Sequence, residues 1–245
     1  MIAIIDYGVG NIFSLRSSFA RIGADVKLTG DPAEIRAADK LILPGVGAFG
    51  DAADKLRESG LGDVVVDEAR RGKALMGICL GMQLLFDESY EYGRHRGLGL
   101  IEGRVVTMDP AATQPETGQA AETDTPAAET QAAETDTLAA ETQAACTHTV
   151  PAGLKVPHIG WNALHFPESR PKSKIFDKID QGDFVYFVHT YHAIDCDASV
   201  IATTDYGIQL TAAVARGNVY GLQFHPEKSG DVGMKILKAF VEMEV

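Results

Sequence analysis

Apolar residues in the first hundred positions fall into short blocks, and these alternate with stretches of helical periodicity. The blocks at residues 2–5, 26–28, 41–43 and 74–78 are almost wholly aliphatic, as strands buried on both faces require. A 3.6-residue pattern predicts a helix from Asn11, placed to cap it, to about residue 22, with Gly23 to close it. A second helical pattern covers residues 52–56 and stops near Gly60, and a third runs over residues 61–71 to Gly72. Strands separated by amphipathic helices imply βαβ units and a mostly parallel sheet with helices on both sides.

The pattern changes after residue 150. Residues 184–188 and 200–203 read as strands, and residues 210–215 and 219–224 flank Arg216-Gly217-Asn218, a hairpin signal. A last helix is predicted over about residues 231–241. The expectation is one α/β domain over residues 1–245, with a parallel core and an antiparallel extension.

Residues 109–150 interrupt this plan. Residues 120–131 read AAETDTPAAETQ and residues 132–143 repeat them with one change, Pro126 becoming Leu138. Ala, Glu, Thr, Asp and Gln offer few bulky groups to bury, so the segment cannot offset the entropy of ordering and is expected to be a solvated, disordered insertion. A docking or regulatory arm is the alternative. The segment also explains the charge. The chain carries −12, but residues 109–150 hold eight acidic residues and no Lys or Arg, leaving −4 for the rest. Neither value suits nucleic-acid binding, which needs a basic stripe.

No apolar run approaches the roughly 18 residues of a membrane span. The N-terminus begins directly as a strand, without the basic flank and cleavage site of a signal peptide. Cys79, Cys146 and Cys196 are odd in number and scattered, which suits a reducing compartment. A soluble cytoplasmic protein is expected.

Three stretches carry candidate chemistry. Gly77-Ile78-Cys79-Leu80-Gly81 follows a predicted strand and precedes the helical residues 82–86. A nucleophile on a tight strand-to-helix turn needs small neighbours, which is the logic of the G-x-S-x-G elbow with sulfur in place of oxygen. The following helix would aim its positive end at Cys79 and favour the thiolate. Taken alone, the pentapeptide also fits a buried structural cysteine. His225-Pro226-Glu227 ends a predicted strand, where α/β folds place their sites. It offers a base and the carboxylate that orients it, although His-x-Glu pairs are common on surfaces. A zinc deaminase is excluded, because no P-C-x-x-C follows. Leu43-Pro44-Gly45-Val46-Gly47-Ala48-Phe49-Gly50 is a glycine-dense turn whose N–H groups, with that of Leu80, could form an oxyanion hole. It lacks the G-x-x-x-x-G-K-[ST] pattern of a phosphate loop, and a plain turn remains open.

Together and in this order, the motifs resemble the class I, triad-type glutamine amidotransferases. The residues that carry the resemblance are Asp6-Tyr7-Gly8-Val9-Gly10-Asn11, Pro44-Gly45-Val46-Gly47, Gly77 to Gln83, His158-Ile159-Gly160-Trp161-Asn162, Phe187 to Tyr191 and Gly221 to Lys228. The first and fourth stretches are similar to the branch that serves imidazole glycerol phosphate synthase in histidine biosynthesis.

The resemblance implies a flavodoxin-like sandwich and a Cys79, His225, Glu227 triad that hydrolyses glutamine to glutamate and ammonia. It further implies oxyanion donors at Val46, Gly47 and Leu80, and substrate contacts at Gln83, Thr190 and Tyr191. The partner it implies is a (β/α)₈ cyclase subunit, docked through Asn11, Trp161, Tyr186 and Lys228, to which ammonia passes. No cofactor or metal is expected, and His158, His189 and His192 are given no chemical role. The glutaminase of another synthase and a non-catalytic scaffold of the same fold are the alternatives. The segment 109–150 is longer than the resemblance leads one to expect, and looping it out should leave the triad intact.

Overall fold

The computed structural model describes residues 1–111 and 148–244. The tandem repeat and Cys146 therefore lie outside the described residues, and so does the expectation of disorder for them.

The elements run β1 (Ile2–Ile5), α1 (Ile12–Arg21), β2 (Val26–Thr29), α2 (Pro32–Ala37), β3 (Lys40–Leu43), α3 (Phe49–Glu58), α4 (Leu61–Arg70), β4 (Ala74–Ile78) and α5 (Leu80–Gln83). They continue with β5 (Glu88–Ser89), β6 (His95–Arg96), β7 (Arg104–Thr107), β8 (His158–Ala163), β9 (Phe184–His189), β10 (Tyr191–Ile194), β11 (Val200–Asp205), β12 (Gln209–Arg216), β13 (Val219–Leu222) and α6 (Gly230–Glu242). Among the described residues, seven strands form the main sheet in the order β11-β12-β13-β4-β3-β1-β2. The pairs β13–β4, β4–β3, β3–β1 and β1–β2 are parallel, while β11–β12 and β12–β13 are antiparallel. This is the parallel core with the antiparallel extension that the pattern predicts.

Alternate residues of the central strands feed two cores. Ala3, Ile5, Leu41, Leu43 and Leu75 pack with α2, α3 and α4 on one face. Ile2, Ile4, Ile42, Met76 and Ile78 pack with α1, α6 and the β9 residues Val185 and Phe187 on the other. Burial on both faces is why these strands read as unbroken aliphatic runs.

Several elements differ from expectation. Helix α2 starts at Asp31, whose side chain accepts from the Ala33 N–H, with Pro32 in the first turn; Asp-Pro marks this start, but the helix is too short for its periodicity to show. Helix α3 begins three residues before the predicted pattern, at Phe49. Asn11 stands at the head of α1 but makes no side-chain cap hydrogen bond. The helix after Cys79 ends at Gln83, not Phe86. Strands β5, β6, β7 and β8 were not anticipated. The β8–β9 pair forms its own antiparallel ribbon with Trp161 opposite Tyr186, and β10 pairs with β7. Among the described residues no helix is long and apolar enough to cross a membrane.

Candidate active site

The predicted site residues meet where the parallel strands end. Cys79 directly follows β4 and His225 lies three residues beyond β13, and these two strands are hydrogen-bonded neighbours. The Pro44–Gly47 turn follows β3, on the other side of β4. Adjacent strand ends thus converge on one cleft, as open α/β sheets arrange their sites.

Cys79 has φ 54° and ψ −113°, left of the regions a non-glycine residue normally occupies. Its N–H donates to the Leu222 carbonyl at 2.7 Å, which locks the turn to β13. The flanking glycines are obligatory on steric grounds. A Cβ on Gly77 would fall 2.5 Å from the Gly81 carbonyl oxygen, and one on Gly81 would overlap the Leu43 carbonyl. A Cβ on Gly45 would lie 2.6 Å from the Gly81 nitrogen, so the glycine turn presses against the first turn of α5. Tyr7 Oη donates to the Pro44 carbonyl at 2.7 Å and pins that turn.

His225 Nδ1 lies 2.8 Å from Glu227 Oε1, with both side chains almost fully buried. Burial pulls the imidazole down, but hydrogen bonds to Cys79 and Glu227 outweigh it and push His225 up to about 9. Nδ1 facing the carboxylate leaves Nε2 for the thiol. The turn is stitched to β9: the His225 N–H donates to the Tyr186 carbonyl (2.9 Å), Ser229 Oγ donates to the His225 carbonyl (2.6 Å), and the Tyr186 N–H donates to Ser229 Oγ (3.0 Å).

A cleft of 450 Å³ joins these parts, and Val46, Gly47, Cys79, Leu80, Gln83, Thr190, Tyr191, His225 and Lys228 all line it. Leu80, as the first residue of α5, has no intrahelical partner for its N–H. Gly47 takes φ +97°, a conformation that glycine adopts freely. Gln83 is buried, not solvated, and its amide nitrogen donates to the Tyr191 carbonyl (3.2 Å) and to Gln223 Oε1 (3.0 Å). The Thr190 carbonyl accepts from the Met108 N–H at 3.0 Å.

Sequence reasoning missed three cleft or near-cleft groups. Glu91 lines the cleft, and its Oε2 accepts from the Phe49 N–H at 2.6 Å. Burial pushes its carboxyl up, while that hydrogen bond works against the shift. Tyr92 stands at the cleft with its ring edge-on to Tyr191, their centroids 6.4 Å apart. Gln223, fully buried, brings its amide nitrogen within 3.9 Å of Cys79 Sγ. No periodicity or spacing marks the first two; Gln223 sits two residues before His225.

At the rim, Trp161 is half exposed and edge-on to Tyr186 (6.0 Å), and Lys228 Nζ lies 5.7 Å from the Tyr186 ring centre. Asn11 heads α1, which packs against the turn Pro226–Lys228. Phe13 and Ile159 are also exposed nearby in sequence to these positions. Of the histidines given no chemical role, His189 also lines the cleft. His158 and His189 bond to each other (3.1 Å), burial pushes His189 down to about 3, and His192 bonds to the His148 carbonyl. Among the described residues no group of three His, Cys, Asp or Glu is arranged to hold a metal ion.

Residues 3–243 match the family described as glutamine amidotransferase class-I. The chain is 43% identical over 243 residues to the imidazole glycerol phosphate synthase subunit HisH of Sulfurimonas denitrificans, covering 99% of this chain and 98% of that protein. It is 39% identical over 244 residues to the HisH subunit of Bacillus subtilis, covering 99% and 96%. Among solved structures it is similar to PurLQS from Thermotoga maritima, with a TM-score of 0.64, 18% identity and coverage of 98% and 96%. It is also similar to the glutaminase domain of Trypanosoma brucei CTPS with bound acivicin, with a TM-score of 0.57, 16% identity and coverage of 100% and 94%. At such identities these two structures speak to the fold alone.

Proposed function

The chain belongs to the class-I glutamine amidotransferase family, and from that premise we infer that it is the glutaminase subunit of an imidazole glycerol phosphate synthase. It hydrolyses glutamine to glutamate and ammonia for histidine biosynthesis. The observation that carries the chemistry is the strained Cys79 in one cleft with a buried His225–Glu227 pair.

In this reading the Cys79 thiolate attacks the side-chain amide carbon of glutamine. The N–H groups of Val46, Gly47 and Leu80 receive the developing oxyanion, each such donor being worth roughly 3–4 kcal/mol. His225, held by Glu227, gives its proton to the departing nitrogen and ammonia leaves. It then takes a proton from water as the water attacks the thioester, and the thiolate is expelled with glutamate. Gln83, Thr190 and Tyr191 hold the substrate's amino-acid end, and the buried Glu91 carboxylate supplies a counter-charge for its ammonium group.

The partner is a (β/α)₈ cyclase that consumes the ammonia, docking on Asn11, Trp161, Tyr186 and Lys228 in a cytoplasmic heterodimer. The exposed Trp161 supports this, since half-exposed aromatic side chains backed by a cation and a second ring are typical interface anchors. The His225 N–H bond to the Tyr186 carbonyl gives docking a direct route to the base.

The test is glutamate release by the purified chain, alone and with the cyclase subunit and its nucleotide, with Cys79→Ala as the blank. A large rise with the loaded partner and none for the variant is expected. Cys79-dependent hydrolysis that ignores this partner would point to another synthase, and no hydrolysis in any mixture would overturn the enzyme reading.

A further inference from the structure

Gln223 lies between the triad and the substrate-binding strand without touching solvent. Its own N–H donates to the Ala212 carbonyl at 2.9 Å, which fixes the backbone beside β12. A buried amide side chain must find partners inside the protein.

The orientation of this amide follows from a chain of constraints. The Tyr191 carbonyl can only accept, so the end of Gln83 that faces it at 3.2 Å is the NH₂ group. That same NH₂ lies 3.0 Å from Gln223, so the end of Gln223 facing it is the oxygen. The NH₂ of Gln223 is left facing Cys79 Sγ at 3.9 Å. Any one amide could be flipped, but flipping either here would set two acceptors or two donors against each other.

The sulfur also has an acceptor beside it. The Val188 carbonyl stands 4.0 Å away and suits a protonated thiol, because its oxygen repels a thiolate. When the proton leaves, a donor beside His225 offsets that repulsion.

We propose that Gln223 is a further catalytic residue, whose side-chain NH₂ donates to the Cys79 sulfur and steadies the thiolate. It does so both before the thiolate attacks and when it is expelled from the thioester. This assignment rests on the glutaminase reading for its role in turnover, but the contact itself is testable without it.

Gln223→Glu separates the two ends of the amide. A carboxylate still accepts from Gln83 but sets a negative oxygen where the donor was. The rate of Cys79 alkylation by iodoacetamide, read by mass at the Cys79 peptide of the full chain, should fall about tenfold near pH 8. In the complex, kcat for glutamine hydrolysis should fall by a similar factor with KM near the parent value. Both deficits should narrow as the pH is lowered and the buried carboxyl takes up a proton that it can donate; a merely structural role predicts a deficit that does not depend on pH. Gln223→Met removes both functions, so alkylation slows, kcat falls and KM rises. Alkylation of Cys79 in Gln223→Glu at the parent rate overturns the proposal. If that variant does not fold, parent-rate alkylation in Gln223→Met does so instead. Slowed alkylation combined with glutamine hydrolysis that survives Cys79→Ala would leave the donor in place and sink the glutaminase reading.

Discussion

The α-carbon of Gly81 sits so close to the Leu43 carbonyl that a single methyl group there would overlap the oxygen. Gly81 follows Cys79 by two residues and Leu43 ends the neighbouring strand. The contact sets how near the first turn of α5 comes to the glycine turn.

Gly81→Ala should therefore cost both stability and rate. Because the obstacle is backbone on a central strand, the strain has nowhere cheap to go, and a loss of at least about 2 kcal/mol is expected. Urea midpoints and glutamine hydrolysis check this. A variant with parent stability and parent kcat would show that the two turns are not in register contact.

His225 carries a pH dependence with a definite sign. Its folded value of about 9 lies above its ordinary 6.5, raised by the hydrogen bonds to Cys79 and Glu227 against the pull of burial. A raised pKa contributes stability that is fully present below about pH 6.5 and is lost as pH climbs through about 9, amounting to no more than about 3 kcal/mol. Glu227→Gln should flatten that slope and lower kcat. Equal urea-midpoint slopes for parent and variant between pH 6 and 9 would count against the pair.

Trp161→Ala should weaken cyclase binding by about 2 kcal/mol, roughly thirtyfold in Kd, while the chain's own thermal midpoint hardly moves. The ring is half exposed and stands edge-on to Tyr186. Calorimetric titration of the two subunits measures it; unchanged affinity would place the docking face elsewhere.

Residues 112–147 should be replaceable by a short linker of roughly four residues. The Val150 N–H donates to the Met108 carbonyl at 2.9 Å, so the chain leaves and returns at one place. Shortening the loop changes closure entropy by only about 2 kcal/mol, in the stabilising direction. Retained glutaminase activity with an equal or higher thermal midpoint is the expected result, and loss of partner activation alone would give the segment a role in docking.

Much of the molecule was legible along the chain because the forces that shape it are local and periodic. Double-sided burial makes β1, β3 and β4 read as aliphatic runs, and Gly23, Gly60 and Gly72 stop the helices between them at positive φ. The nucleophile's turn was legible for a similar reason: Gly77 and Gly81 are there because any side chain would collide with backbone. The two-residue step from His225 to Glu227 already pairs the imidazole with its carboxylate. What the chain could not announce were relationships with no period. Glu91 enters the cleft from a loop, and the strands β7 and β8 are set by partners far off in sequence. The helix after Cys79 was overestimated because Leu84, Leu85 and Phe86 are apolar for burial against the sheet, not for continuing a helix. Gln223 has its meaning only through Gln83 and Tyr191, which fix which end of its amide meets the sulfur. Local sterics and burial wrote the strands, the turns and the positions of Cys79, His225 and Glu227 into the sequence; the direction of each polar group in the cleft was left to tertiary packing, because a hydrogen bond is decided by what stands opposite it.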